Sequence, residues 1–197
     1  MIKGESSHII LASKSPRRRQ ILSEAGYKFD VVPPDIDESA FSAEGISVAE
    51  YAKRLALAKA QSVAQKYPDS LVIGADTVVD FGGQIIGKSA DAKEAEQITS
   101  KLFSAPHRVI TGIAIIRSCD DVVIVDSDTT TIYPKKITAG QIAEHIKSGS
   151  WRDKAGAYAI KEIGDEFIEK ISGSLTNVMG LPMELLERLL QKFKNGI

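Results

Sequence analysis

The stretch that most narrows what this chain can fold into is His8 to Arg19, HIILASKSPRRR, where an apolar run breaks into Ser-Lys-Ser-Pro and three consecutive arginines. Ile9, Ile10 and Leu11 have the apolar, largely β-branched character of a buried strand, while Ser15 suits a helix cap and Pro16 the first helical turn. The segment predicts strand, tight loop, helix start. At such a junction the unpaired N–H groups of the first turn point outward with the positive end of the helix dipole, and the Ser13 and Ser15 hydroxyls can add donors. Arg17 and Arg18 follow the proline closely enough for a guanidinium to fork onto phosphate oxygens. Basic groups at a helix N-terminus oppose the dipole unless an anion compensates, so the pattern favours a phosphate cradle over a merely solvated helix end.

The rest of the chain limits the partners of that cradle. With 197 residues, 43% of them hydrophobic, it is long enough for one sizeable core and is expected to form a single domain over 1–197. A formal charge of -1 supplies no global field for a nucleic-acid polymer, so the basic loop is a local device. Cys119 is the one cysteine, which excludes an internal disulfide and fits a reducing cytoplasm. No signal-peptide pattern or bilayer-length apolar run is present, so a cytoplasmic protein without membrane attachment is expected.

Further along, Pro33-Pro34 ends a short strand, and DIDES follows with Asp35, Asp37 and Glu38, hard oxygen ligands whose metal-binding value depends on another carboxylate converging on them. Ser47 to Lys66 predicts an amphipathic helix with a Ser47–Glu50 capping box. Lys59 falls on its apolar face, either as a snorkelling side chain or as an ammonium that reaches a buried anion. Leu71 to Ala75, LVIGA, predicts a strand buried on both sides, and Asp76-Thr77 interrupts it before Val78-Val79. A carboxylate in such a run must be hydrogen-bonded, paired or metal-bound, which makes Asp76 the leading catalytic candidate. Gly74 beside it permits close approach of a backbone or ligand.

GGQIIGKS, 82–89, satisfies the P-loop pattern letter for letter. Ile85 and Ile86 occupy what would be the cradle, however, and Gly82-Gly83 suits a two-residue hairpin turn, leaving Lys88 at a strand end as a further cation. Asp91 then caps a helix to Phe103, Val109–Ile116 and Val122–Tyr133 read as strands, Thr138 caps a helix to Ser148, Ile168–Ile171 is a strand, and Pro182 starts a final helix. The histidines at 8, 107 and 145 have no ligand spacing and read as packing or surface groups.

Taken together, SKSPRR, Lys59 in RLALAKA, GADTVV, GK at 87–88, HRVITG at 107–112, DKAGAY at 153–158 and NVMGLP at 177–182 resemble the Maf family, named for septum-formation inhibition. The match runs through nearly the whole chain in order. The resemblance implies an α/β fold with a mixed central sheet flanked by helices and a deep cleft between two lobes, related to inosine triphosphate pyrophosphatases. It also implies a Mg²⁺-dependent nucleoside triphosphate pyrophosphatase that releases a monophosphate and pyrophosphate, with house-cleaning of non-standard nucleotides as a role and a homodimer as an allowed assembly.

By position, Ser13, Arg17 and Arg18 correspond to the triphosphate loop, Lys59 and Lys88 to cleft lysines, Asp76 to the catalytic base or a metal ligand, and Glu38 to an acidic residue near the metal. GADTVV with DKAGAY is most similar to the dTTP and UTP branch, in which Arg17, Thr77 and the position of Lys161 bear on base choice. Here the chain departs, with Lys161-Glu162 where that branch has Gln-Gly. Lysine donates but cannot accept, so the resemblance leaves base choice open. Two other classes stay in play: a P-loop NTPase using 82–89, and a non-catalytic nucleotide-binding regulator of division.

Overall fold

The computed structural model describes residues 8–152, 154–158 and 167–194. Its centre is a seven-stranded mixed sheet of β1 (Ile9–Ala12), β2 (Phe29–Val31), β3 (Leu71–Phe81), β4 (Gln84–Ile86), β5 (His107–Arg117), β6 (Val122–Pro134) and β7 (Ile168–Ser172). Six of them run in the order β2-β1-β3-β5-β6-β7, and β4 pairs with β3 off that path. β1 pairs parallel with β2 and β3, and the remaining ladders are antiparallel. This is the mixed α/β sheet that the resemblance implies.

Helices cover both faces: α1 (Pro16–Glu24), α2 (Val48–Ala64), α3 (Ala92–Leu102), α4 (Ala139–Ser148), the short α5 (Leu175–Val178) and α6 (Met183–Lys194). Alternation along β3 sorts its side chains. Leu71, Ile73 and Ala75 pack with Leu185, Leu186 and Leu189 of α6, whereas Val72 packs with Ala56, Ala60 and Val63 of α2. α2 lies almost against the sheet because two glycines admit it. A Cβ at Gly74 would sit 2.4 Å from the Ala56 carbonyl oxygen, and one at Gly112 would sit 2.5 Å from that of Ala52. The approach allowed by Gly74 is therefore taken by a helix backbone.

The sheet has a gap where the site lies. β1 accompanies β3 only through Gly74, and β4 joins the same edge only from Val79, so Ala75 to Val78 have no strand neighbour on that side. The gap opens at the carboxyl end of β1, where the chain turns into α1, the place where open α/β sheets receive ligands.

The P-loop reading of 82–89 is overturned here. Gly82 and Gly83 adopt φ of 60° and 87° and form the turn between β3 and β4. Asp80 braces it by accepting the Gly83 N–H at 2.8 Å and pairing with Arg108. The next helix begins at Ala92 under its Asp91 cap, so no helix N-terminus meets the Gly-Lys pair and there is no phosphate cradle. The capping box at Ser47 is only half made. Ser47 accepts the Glu50 N–H, but the Glu50 carboxylate turns to Lys53 at 2.8 Å and Arg54 at 3.6 Å. The full reciprocal box forms at Thr138 and Gln141 instead. No helix among the described residues is long and apolar enough to cross a membrane.

Candidate active site

A cleft of about 640 Å³ occupies the gap beside β3, and its walls come from the start of α1, the loop carrying Glu38, α2, the β3–β4 hairpin and the segments around 152–158 and 178–180. Arg17, Arg18, Glu38, Lys59, Asp76, Thr77 and Lys88, far apart in sequence, all line it.

The α2 side is ionic. Lys59, only 7% exposed, donates to Asp76 at 2.6 Å and pairs with Glu38 at 2.8 Å. Its place on the apolar face of α2 thus resolves in favour of a buried anion partner. Asp76 faces α2 beside Gly112, its cross-strand neighbour on β5, where the missing side chain lets the α2 backbone lie against the sheet. Burial pushes the Glu38 carboxyl up, but its hydrogen bond to Lys59 and the charges of Lys59, Lys88 and Arg18 outweigh that and hold it below its usual range. Burial also raises the Tyr51 phenol, with Asp76 and Glu38 adding to the effect. Of the acidic loop, only Glu38 reaches the cleft. Asp37 is turned onto its own loop, accepting the Ser39 N–H at 2.9 Å and hydroxyl at 2.6 Å.

The opposite side is built on Arg18, whose guanidinium binds protein. It donates to the Gly180 carbonyl at 2.7 Å, the Ala75 carbonyl at 2.9 Å and the Thr77 hydroxyl at 2.9 Å. Burial lowers its pKa from the ordinary value, against the pull of Asp76 and Glu38. Arg17 is different: it lines the cleft half-buried and makes no hydrogen bond or ion pair among the described residues. Of the two arginines, Arg17 is the open cation and Arg18 the brace.

Ser13 is the expected substrate contact that does not line the cleft. It is buried beneath the loop, where its hydroxyl accepts the Ser15 N–H at 3.1 Å, while Ser15 caps α1 by accepting from Arg18 N at 3.4 Å. Lys161, Glu162 and Asp153 lie outside the described residues.

Several residues here were not singled out from sequence. Arg152 adds another cation to the cleft wall, and Tyr158 lines it with its phenol 2.6 Å from His107 Nε2. Burial lowers the His107 pKa. Asn177, fully buried, donates to the Val109 carbonyl at 3.0 Å and the Thr130 hydroxyl at 2.9 Å. NVMGLP carried the signal for Asn177, because an amide flanked by apolar residues has to find partners when the segment is buried.

A mixed sheet opened at one edge, with cations around a lysine-bridged carboxylate pair, defines an α/β protein whose site suits a polyanion and an attacking nucleophile. The family model described as Maf-like protein matches residues 8–193, and the chain belongs to the Maf family. It is 45% identical over 177 residues to a dTTP/UTP pyrophosphatase of Geotalea uraniireducens, covering 90% of each chain. It is 40% identical over 185 residues to one of Symbiobacterium thermophilum, covering 94% of this chain and 93% of the relative. Among solved structures, the Ham1 protein of Staphylococcus aureus shares the fold, with a TM-score of 0.54 at 15% identity over 96% of this chain and 99% of that one.

Proposed function

We propose that this chain hydrolyses nucleoside triphosphates, dTTP and UTP among them, to the monophosphate and pyrophosphate, and that 1–197 act as one catalytic domain. The observation that carries the reading is the buried Lys59 held between Asp76 and Glu38 on the wall of a cation-lined cleft. Two carboxylates side by side repel each other, and the ammonium between them offsets that repulsion where a substrate would meet them. The described residues contain no cluster of three or more His, Cys, Asp or Glu, so a cage made wholly of protein ligands is not what this site offers. Asp76 and Glu38 each keep one oxygen without a hydrogen-bond partner among those residues, a donor set that fits Mg²⁺, which takes one or two carboxylates together with phosphate oxygens. Held there, the cation would neutralise charge on the polyphosphate.

In the mechanism we infer, Arg17 and Lys88 bind the triphosphate while Arg18 fixes the cleft wall. Asp76 orients a water towards the α-phosphorus and takes up its proton. The new P–O bond forms as the bond to the β-phosphate oxygen breaks, and pyrophosphate leaves among the cations.

The relatives' names support dTTP and UTP as substrates. The test is a turnover assay with Mg²⁺ over a panel of standard and non-standard nucleotides, with the inorganic product identified. Pyrophosphate is expected; orthophosphate, or binding without turnover, would overturn the proposal in favour of a different NTPase or a regulator. Asp76→Asn should lower kcat by about 10³-fold with the fold intact by circular dichroism. Retention of near wild-type rate would remove Asp76 from the chemistry.

A further inference from the structure

We propose that Arg152, seated over Trp151 at the cleft wall, is a further polyphosphate-binding residue that takes the pyrophosphate end of the substrate. The choice of substrate rests on the pyrophosphatase reading above, whereas the cation and its support do not.

Trp151 is a fixed platform. It is 7% exposed, packs with Ala95 and Ala157, and donates its indole N–H to the Ile146 carbonyl at 3.0 Å. The central carbon of the Arg152 guanidinium lies 5.1 Å from the centre of that ring. Attraction to a π-face holds a cation without consuming a hydrogen bond. Arg152 makes no side-chain hydrogen bond or ion pair among the described residues, so its donors remain available to a ligand.

The backbone makes room for this placement. Gly149 ends α4 at φ 70°, and a Cβ there would lie 2.6 Å from Arg152 Nη1. The carbonyl end of α4 favours a cation beside it, but only through a partial charge. The last turn of α4 adds His145 and Lys147, which supply no counter-charge. A guanidinium so placed on a cleft wall is prepared for an anion, and its planar fork matches phosphate oxygens.

Its position says which part of the substrate it meets. The 152–158 segment is joined to the hairpin by the Lys88–Ala155 bridge and by the Gly156 N–H, which donates to the Gly87 carbonyl at 3.1 Å. Arg152 and Lys88 thus share one wall. The charges acting on Glu38 are those of Lys59, Lys88 and Arg18, and Arg152 is not among them. Going away from the carboxylate pair, Lys88 therefore comes first and Arg152 beyond it. A water beside Asp76 that attacks the α-phosphorus puts the α-phosphate nearest the carboxylates. The nucleoside half is uncharged and gives a guanidinium nothing to neutralise, so the β- and γ-phosphates are what Arg152 can hold.

The test is titration calorimetry with inorganic pyrophosphate and with UMP, both with Mg²⁺, on wild type, Arg152→Ala and Arg152→Lys. Thermal melting and kcat/KM for UTP are measured on each. Alanine should weaken pyrophosphate binding about tenfold, lower kcat/KM by a similar factor, and leave UMP binding and the melting temperature as in wild type. Lysine keeps the charge without the fork and should fall between the two. Should the alanine variant not fold, Arg152→Gln takes its place with the same expectation. Unchanged pyrophosphate affinity, with or without a shift in melting temperature, overturns the inference, and so does an equal weakening for UMP or a wild type that binds no pyrophosphate. A wild type that binds pyrophosphate but turns over no nucleotide defeats the pyrophosphatase reading itself. Turnover of UTP with unchanged pyrophosphate affinity in Arg152→Ala defeats only the role of Arg152.

Discussion

Asp76 and Thr77 are chain neighbours in β3, yet they serve two different environments because successive side chains of a strand face opposite sides of the sheet. Towards α2, Asp76 enters a set of full charges with Lys59 and Glu38. Towards α5 and α6, Thr77 enters a chain of neutral hydroxyl, amide and carbonyl groups closed by the single guanidinium of Arg18. The ionic side is strong but poorly directional, suited to opposing the charge of a polyphosphate and positioning a nucleophile. The neutral side is weaker but each bond has a direction, suited to holding the β3, β5 and α5 segments in one fixed arrangement. The unpaired edge of β3 between Gly74 and Val79 lets both sides open into one cleft.

The comparison is broken most severely at its ionic side. Lys59→Met would leave Asp76 and Glu38 facing each other without a counter-charge, and removing one partner of a buried pair costs about 3–5 kcal/mol. We expect a loss of that order in chemical denaturation, together with loss of turnover. Adding Asp76→Asn to Lys59→Met should restore part of the stability but none of the activity. A double variant no more stable than Lys59→Met alone would mean that the lysine stabilises through its alkyl packing and not through charge.

A smaller effect is expected at Gly112. An added Cβ would meet the Ala52 backbone at 2.5 Å, so Gly112→Ala must push α2, with Lys59 on it, away from the sheet. Overpacking of this kind costs about 1–3 kcal/mol. The urea midpoint should fall and kcat with it. A variant with an unchanged midpoint and kcat would show that α2 gives way at Gly112 without moving Lys59.

Much of this fold could be read from local pattern. The caps at Ser15, Asp91 and Thr138, the Gly-Gly turn and the apolar runs of β1, β3, β5 and β6 each follow from propensities acting within a few residues. Asp76 and Lys59 stood out because a charge on an apolar face needs a partner. What sequence could not show was register. Thr111 is an unremarkable strand threonine until the β3–β5 pairing sets it opposite Thr77, and Gly112 gains meaning only once α2 lies against it beside Asp76. The two adjacent arginines look equivalent in SPRRR, and only the carbonyls of Ala75 and Gly180, from distant segments, separate brace from open cation. The contact by which Ser13 accepts the nearby Ser15 amide is likewise set by how the loop folds, and it leaves the Ser13 hydroxyl proton uncommitted.

The smallest expected effect sharpens the contrast by pH. Glu38 has a folded-state pKa below its ordinary value, so as pH falls the unfolded chain takes up this proton first. The stabilisation is fully present above the usual glutamate range, about pH 4.3, and is lost as pH falls through the lower folded value. The difference in Tm between wild type and Glu38→Gln should therefore be constant near neutrality and shrink below about pH 4.5. It should also be small and weakened by salt, because the Glu38 side chain is 52% exposed. The corresponding difference for Thr111→Ser should not follow this course, since neither hydroxyl titrates in that window. A wild-type to Glu38→Gln difference that grows on acidification would mean that burial, which raises the Glu38 carboxyl, outweighs Lys59, Lys88 and Arg18. The α2 side would then not hold Glu38 as an ionised partner of Lys59.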